Sequence, residues 1–87
     1  MTTIAEVAKW FLRKEPMNPR KLQVLCYYAQ AWHYALFGKP LFEADFEAWE
    51  DAPASPELYQ YYQDAGYWEI TIDDFLEVEK ELRKQDD

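Results

Sequence analysis

The sequence has few of the residues on which several classes of protein depend. Its 87 residues include one cysteine, Cys26, one histidine, His33, and two glycines. A single thiol cannot form an internal disulfide, so the fold does not rely on an oxidising compartment. Two glycines give no glycine-rich phosphate loop. One histidine with one distant cysteine gives little support for a metal site with nitrogen and sulfur ligands.

Long apolar runs are also missing. No segment reaches the roughly 18 apolar residues that a membrane span needs. The N-terminus lacks the basic flank and apolar core of a signal peptide. We therefore predict a cytoplasmic protein that does not associate with membranes, and nothing in the sequence indicates a cofactor.

Basic residues are absent from the middle of the chain. The net charge is −8, and the stretch between Lys39 and Lys80 holds twelve acidic residues and no basic one. Such a stretch repels the phosphate backbone, so we expect no direct binding of nucleic acid. It would attract a basic partner instead. The alternative, which stays open, is a solvated surface that only keeps the protein soluble.

Aromatic residues are abundant, with four Trp, seven Tyr and five Phe. They supply enough buried area for a core in a single domain spanning residues 1–87. Thr3 and Glu6 have capping-box spacing at the start of a predicted helix over residues 4–14.

Asn18 and Pro19 are good first residues for a second helix, which we expect to run to Phe37 and end at Gly38. Residues 22–37 contain no charged residue except, depending on its protonation, His33. A helix that is apolar nearly all round is either buried centrally or shared with a partner. We predict that it is the centre of the fold. One face would carry Leu22, Leu25, Cys26, Ala29, His33 and Leu36, with Leu25 and Ala29 at the middle of the core.

After the second helix the spacing of the apolar residues changes. Residues 41–49 alternate imperfectly, which predicts two short strands or an extended loop, ended by prolines at 53 and 56. Ser55 caps a third helix that reaches about Asp64 and is ended by Gly66, and residues 67–70 could be extended. Thr71 or Asp73 caps a last helix whose charged tail, from Glu79, should fray. The fold class is mainly α with a small β element, a compact helical domain around the central apolar helix.

Three blocks of the sequence resemble the Panacea-type, or SocA-like, antitoxin domain. Residues 21–33 read KLQVLCYYAQAWH, where the family typically reads KLQKLLYYAQGWHL. Residues 38–43 read GKPLFE, and the third block consists of FEAW at 46–49 and PASPELY at 53–59. The order and spacing of the blocks over about residues 4–62 follow the family. Val24 stands at the family's second Lys, residues 52–54 replace its Gly-Pro-Val, and the late region is missing, so the chain resembles a shortened member.

The resemblance implies a function without catalysis. Members of the family are implied to neutralise a co-encoded toxin by binding it directly, one is described as a proteolysis adaptor, and many occur on phages and mobile elements. By this resemblance the chain is a protein-binding inhibitor and not an enzyme.

Other functions stay open beside the antitoxin. One is a phage-encoded, anti-CRISPR-like inhibitor that acts as an acidic mimic of nucleic acid on a DNA- or RNA-binding protein of host defence. Another is a proteolysis adaptor or a structural phage protein. A homodimer is also left open.

Catalytic chemistry has little support, because Cys26 and His33 lie seven residues apart on one helix and do not form a convincing nucleophile pair. The candidate protein-binding residues combine carboxylates with aromatic rings, which are enriched at binding hot spots. The alternative is that the rings pack in a small aromatic core. The candidates are Glu43, Asp45, Glu47, Trp49, Glu50, Asp51, Tyr59 and Tyr62.

Overall fold

The computed structural model describes residues 2–49, 52–65 and 68–85. Within them it has four α-helices and one antiparallel pair of strands. The prediction of a mainly α fold with a small β element is confirmed. In chain order the elements are α1 (Ile4–Lys14), α2 (Pro19–Phe37), β1 (Glu47–Trp49), β2 (Ala52–Ala54), α3 (Pro56–Tyr59) and α4 (Ile72–Gln85).

The caps of the first two helices form as the sequence predicts. The Thr3 side chain accepts from the backbone N–H of Glu6, and the Glu6 carboxylate accepts from the backbone N–H of Thr3. The Asn18 side chain accepts from the backbone N–H of Lys21 at 2.9 Å. Gly38 ends α2 with a φ of 72°, in the left-handed region that favours glycine. The predicted bounds of both helices are therefore confirmed.

Helix α4 begins at a second reciprocal cap. Thr71 donates its backbone N–H to the Asp74 carboxylate at 2.9 Å, and its hydroxyl accepts from the backbone N–H of Asp74 at 3.1 Å. Thr71, not Asp73, is thus the capping residue. The helix continues to Gln85, and the Lys9 ammonium binds the Glu79 carboxylate at 3.0 Å, so the first residue of the charged tail is held against α1. The fraying expected of the rest of the tail stays a prediction.

The middle segment differs in detail from expectation. Strands β1 and β2 form a hairpin in which Pro53 lies within β2, opposite Ala48, instead of ending the strand. Helix α3 starts after Ser55 as predicted but ends at Tyr59. Residues 60–65 form turns whose N–H groups bind carbonyls three residues earlier, which is tighter than an α-helix.

Between α3 and α4 the prediction is tested only in part. The proposed helix end at Gly66 lies outside the described residues, as does Tyr67 of the proposed extended segment. Ile70 forms an isolated antiparallel bridge with Met17, with N–H to carbonyl distances of 2.9 and 3.2 Å.

The core lies mainly between α1 and α2, with α3 and α4 packed against α1. Leu25 and Ala29 are only partly buried, so the prediction that they occupy its middle is wrong. The buried positions of α2 are instead Pro19, Leu22, Gln23 and Cys26, and Gln23 contacts the Ser55 backbone at the start of α3. The buried apolar cluster consists of Ile4, Ala5, Val7, Ala8, Leu12, Met17, Leu22, Cys26, Phe42, Leu58, Ile70 and Phe75.

The two halves of α2 have different environments. The first half contains all the buried residues of the helix, Pro19, Leu22, Gln23 and Cys26, whereas the second half is mostly exposed. Leu36, predicted on the buried face, is 68% exposed. The prediction that α2 is the centre of the fold is therefore correct only for its first half: its buried residues end at Cys26, and the last turn, residues 34–37, is exposed.

Candidate protein-binding site

A buried glutamine joins α2 to the start of α3. Gln23 is 2% exposed. Its amide nitrogen donates to the Ser55 carbonyl at 3.0 Å, and its amide oxygen accepts from the Ser55 N–H at 2.8 Å. The same nitrogen donates to the Tyr62 hydroxyl at 2.8 Å. The Gln23 side chain thereby supplies hydrogen-bond partners to the buried N–H and carbonyl of Ser55 and orients the Tyr62 ring.

Two further polar side chains of α2 hold the segment that follows the helix. Gln30 lies two turns after Gln23, and its amide binds both N–H groups and a carbonyl of the Leu41–Phe42 backbone at 2.7 to 3.3 Å. His33 places Nδ1 2.8 Å from the Lys39 carbonyl, so Nδ1 carries the hydrogen in this contact. These contacts fix the path of the chain from α2 toward the hairpin.

Three rings form a continuous row, which we call the aromatic row: Trp49, Tyr59 and Tyr62. The ring centroids of Trp49 and Tyr59 are 5.2 Å apart and those of Tyr59 and Tyr62 are 5.3 Å apart, both edge to face. Edge-to-face contacts between aromatic rings stabilise a protein by more than the burial of their apolar area alone. Tyr59 remains 38% exposed, whereas Tyr62 is partly buried. The row therefore has one side fixed by the protein and one side open to solvent.

The environment of Tyr62 favours its neutral hydroxyl. Burial raises the pKa of Tyr62, the hydrogen bond from Gln23 opposes this, and the nearby Tyr59 adds a smaller rise. A neutral phenol is expected, because the effect of burial outweighs that of the hydrogen bond donated by the Gln23 amide.

A groove of about 610 Å³ runs beside the aromatic row. Its walls come from the first turn of α2, the hairpin and the turns after α3. Arg20 is the single charged side chain among the described lining residues, and no ion pair to it is formed within the described part of the chain. The lining residues are Asn18, Pro19, Arg20, Gln23, Trp49, Ala52, Pro53, Ala54, Tyr59, Tyr62 and Gln63.

The predicted acidic candidates fall into three groups. The Glu47 carboxylate accepts from the Trp49 indole N–H at 2.8 Å and so lies against the aromatic row. Glu43 and Asp45 are exposed on the segment between α2 and β1, with no ion pair in the described part of the chain. Glu50 and Asp51 lie outside the described residues. The structure brings together Glu47 and the three predicted aromatic candidates.

Several residues of this site were not predicted. Gln23, Ser55, Arg20 and Pro53 shape the row and the groove. Two glutamines seven residues apart on an otherwise apolar helix were the available signal, since that spacing places both on one face. The apolar residues of α2 dominate its pattern and mask this polar pair.

Cys26 and His33 do not form a reactive pair. Cys26 is fully buried as predicted, and burial raises the pKa of its thiol to about 12, far from the range of a reactive thiolate. His33 is only partly buried, so its place on the predicted core-facing side of α2 is wrong, and its Nδ1 binds the Lys39 carbonyl.

The described ranges, residues 2–49, 52–65 and 68–85, show neither a cluster of metal ligands nor a membrane-spanning helix. No three side chains of His, Cys, Asp or Glu converge as ligands for a metal ion there. No helix in these ranges is both long enough and apolar enough to cross a bilayer.

The described part of the chain is a small helical domain with a groove lined by aromatic rings. The family model described as "Antitoxin SocA-like, Panacea domain" matches residues 22–87. The chain belongs to this family. The match begins in the first turns of α2 and continues through α4, beyond the three blocks of resemblance noted in the sequence. No curated protein and no solved structure matches the chain.

Proposed function

We propose that this chain is an antitoxin that neutralises a partner protein by direct binding, and that the aromatic row and its groove form the contact surface. The observation that carries the proposal is the aromatic row itself. The three rings are in contact with one another, Tyr62 is fixed by the buried Gln23, and Tyr59 is exposed to solvent. Membership of an antitoxin family supports the class of function.

The geometry of the row suits binding. Trp and Tyr are the residues most enriched at hot spots, because they bury much area with few rotatable bonds. Trp49 is held by Glu47 and Tyr62 by Gln23, each through a 2.8 Å hydrogen bond. Side chains ordered before binding lose less conformational entropy on binding, so the free protein already presents the surface that the partner contacts.

The carboxylates before and within the hairpin favour a basic partner on that side, whereas Arg20 is the one charged side chain among the described residues that line the groove. Glu43, Asp45 and Glu47 are exposed near the hairpin, and like charges of the partner would be repelled from this side. Complementary charge raises the association rate and excludes wrong partners more than it raises affinity. We therefore assign recognition of the partner's basic surface to the carboxylates and the tight contact to the rings.

Co-expression with the protein encoded beside this chain tests the proposal. Trp49→Ala and Tyr59→Ala should each abolish rescue of growth and weaken binding, while the melting temperature stays close to that of the wild type. Trp68→Ala is the matched control, since this indole is 81% exposed and does not line the groove. Full rescue by both groove variants would show that the row is not the contact surface.

A second candidate function rests on the exposed carboxylates. Every described acidic residue from Glu43 to Glu77 is exposed and lacks an ion pair within the described residues. Such a surface is suited to imitate the phosphate backbone toward a DNA-binding protein of host defence. Under this alternative, double-stranded DNA should displace the chain from its partner. The antitoxin proposal requires no such competition.

A further inference from the structure

Arg20 gives the groove a charge that the protein itself leaves unpaired. Among the residues that the structure describes, it is the single charged residue lining the groove, and it is exposed in the first turn of α2. It forms no ion pair within residues 2–49, 52–65 and 68–85. Asn18 and Gln63, which also line the groove, are neutral amides. The N–H donors of one guanidinium are therefore available to an occupant of the groove.

The described carboxylates of the neighbouring segments are bound to other groups. Glu15, which precedes α2, accepts from the Lys21 ammonium at 3.0 Å. Glu47 on β1 accepts from the Trp49 indole N–H at 2.8 Å. The charge of Arg20 thus has no counterpart in the described part of the fold, although the chain carries 17 acidic residues. A carboxylate that pairs with Arg20 must therefore come from outside these segments.

The other walls of the groove are largely apolar. Pro19, Pro53 and Ala54 line it together with the three rings of the aromatic row. Its volume of about 610 Å³ lies within the range of roughly 300–1,000 Å³ that is typical of sites for compact ligands. The groove therefore has room for a few side chains of one segment. Apolar side chains gain most from cover by prolines and aromatic rings.

The combination of one cation with apolar walls selects the charge of the occupant. A carboxylate can accept two parallel hydrogen bonds from a guanidinium, which fixes its orientation and balances the charge. A lysine or arginine in the groove would be repelled by Arg20. A purely apolar segment would remove water from the guanidinium without supplying an acceptor, which costs free energy. The groove thus favours a segment that has one carboxylate beside a large apolar side chain.

This requirement differs from that of the acidic surface near the hairpin. Glu43 and Asp45 are exposed and do not line the groove, so they attract basic groups of the partner around the contact. Arg20 acts within the contact, where a missing or reversed charge on the partner is costly. Two opposite requirements in one surface exclude a partner that is basic throughout, and such exclusion is a source of specificity.

We infer that the groove receives a segment of the partner protein in which an Asp or Glu adjoins a large apolar side chain, and that Arg20 binds that carboxylate. The inference rests on the proposed function, because it takes the groove as the contact surface. It adds the chemistry of the bound segment and assigns Arg20 as the residue that selects it.

Surface plasmon resonance with the protein encoded beside this chain tests Arg20. Arg20→Gln should raise the dissociation rate about tenfold or more, since the partner's buried carboxylate loses its counter-charge. Arg20→Lys should lie between this variant and the wild type, because an ammonium keeps the charge but not the paired hydrogen bonds. Arg20 is exposed, so both variants should melt close to the wild type.

Arg13→Gln is the matched control for the loss of one positive charge. Arg13 is exposed on α1, does not line the groove and has no ion pair in the part of the chain that the structure describes. Its replacement should change the dissociation rate by less than about twofold, because a charge outside the contact acts mainly on association. Equal effects of Arg13→Gln and Arg20→Gln on dissociation would overturn the inference.

A double-mutant cycle identifies the bound carboxylate. Each Asp and Glu of the partner is replaced by its amide, and binding is measured with the wild type and with Arg20→Gln. One of these replacements should weaken binding to the wild type about tenfold and have little further effect on Arg20→Gln. If no side-chain carboxylate of the partner is coupled to Arg20, the inference is wrong.

The outcomes separate this inference from the proposed function. Loss of binding in Trp49→Ala with unchanged dissociation in Arg20→Gln would keep the groove as the contact surface and overturn the role of Arg20. Tighter binding by Arg20→Gln would indicate a basic occupant and also overturn it. Unchanged binding in both variants would refute the groove as the contact surface, and the inference with it.

Discussion

Gln23 and Ser55 are joined by two hydrogen bonds between one side chain and one backbone unit, across 32 residues of sequence. Gln23 is 2% exposed and Ser55 is fully buried. Water therefore cannot replace the side-chain amide if it is removed. The pair fixes the start of α3, and with it the aromatic row, to the first turns of α2.

Gln23→Ala should destabilise the protein by about 2–4 kcal/mol, because it leaves a buried N–H and a buried carbonyl without partners. Urea unfolding followed by circular dichroism measures the change. Gln63→Ala is the control, since this residue lines the groove but is exposed, and it should change stability by less than about 0.5 kcal/mol. Equal effects of the two variants would contradict a structural role for Gln23.

The ion pair between Lys9 and Glu79 joins α1 to α4, and both side chains are 13% exposed. A double-mutant cycle with Lys9→Met and Glu79→Gln should give a coupling free energy of about 1–2 kcal/mol, since partly buried charges are poorly screened. The exposed pair of Lys21 and Glu15 has the same 3.0 Å distance and provides a control cycle. Its coupling should lie below about 1 kcal/mol. Similar couplings in the two cycles would mean that burial adds nothing to the first pair.

The helices were predictable because their signals are local. Thr3 with Glu6, Asn18 with Pro19, and Gly38 each determine a helix end through contacts within one turn. The early end of α3 at Tyr59 was not predictable from such signals. It depends on the packing of Tyr61 and Tyr62, whose rings contact Phe75 and Tyr59.

The candidate site was predictable only as a list of residue types. Trp49, Tyr59 and Tyr62 were chosen as aromatic residues with unclear burial, and their assembly into a row required the turns after α3 and the Gln23 contact. The burial of α2 was misassigned for a related reason. An apolar helix offers no polar face to mark its exposed side, so Leu25 and Ala29 could not be distinguished from Leu22 and Cys26 without tertiary contacts.

The burial of α2 can be tested by comparing the stability lost when each of two leucines on this helix is replaced. Leu22 is fully buried, and Leu25 is only partly buried. Leu22→Ala should cost about 2–5 kcal/mol, and Leu25→Ala should cost clearly less, since less apolar area and a smaller cavity are involved. Thermal or urea unfolding of both variants shows which of them loses more stability. A larger loss for Leu25→Ala would restore it to the middle of the core.

Alkaline pH should destabilise the fold through Cys26. Burial raises the pKa of its thiol from the ordinary value of 9.0 to about 12. The folded state therefore holds the proton more tightly than the unfolded state. The resulting stability is complete below pH 9 and is lost as the pH rises toward 12. Between these values the thiol should lower the unfolding free energy by about 1.4 kcal/mol per pH unit.

The free energy of unfolding measured from pH 8 to 11 (roughly the window set by linkage) tests this effect in the wild type and in Cys26→Ala. The variant lacks the thiol but keeps every tyrosine, so the raised pKa of Tyr62 acts equally in both proteins. The stability difference should shrink with increasing pH. Parallel pH profiles would show that the thiol does not titrate with folding.

The last prediction concerns the carboxylates near the hairpin. Replacing Glu43, Asp45 and Glu47 by their amides keeps side-chain size and removes three charges. Gln at 47 also keeps an oxygen that can accept from the Trp49 indole, so the aromatic row should be preserved. If these carboxylates attract a basic partner over a distance, association should slow and its salt dependence should weaken, while dissociation changes little.

Surface plasmon resonance at two salt concentrations measures both rates against the protein encoded beside this chain. A matched triple variant with Glu57, Glu69 and Glu77 replaced by Gln removes the same charge from exposed positions that do not line the groove. If both triple variants slow association equally, only the net charge of the protein matters, because attraction that depends on net charge does not depend on where the charges lie. Slowing confined to the hairpin variant places the partner's basic surface beside the aromatic row. Unchanged association in both leaves the carboxylates as solvated surface, and the rings alone would then carry recognition.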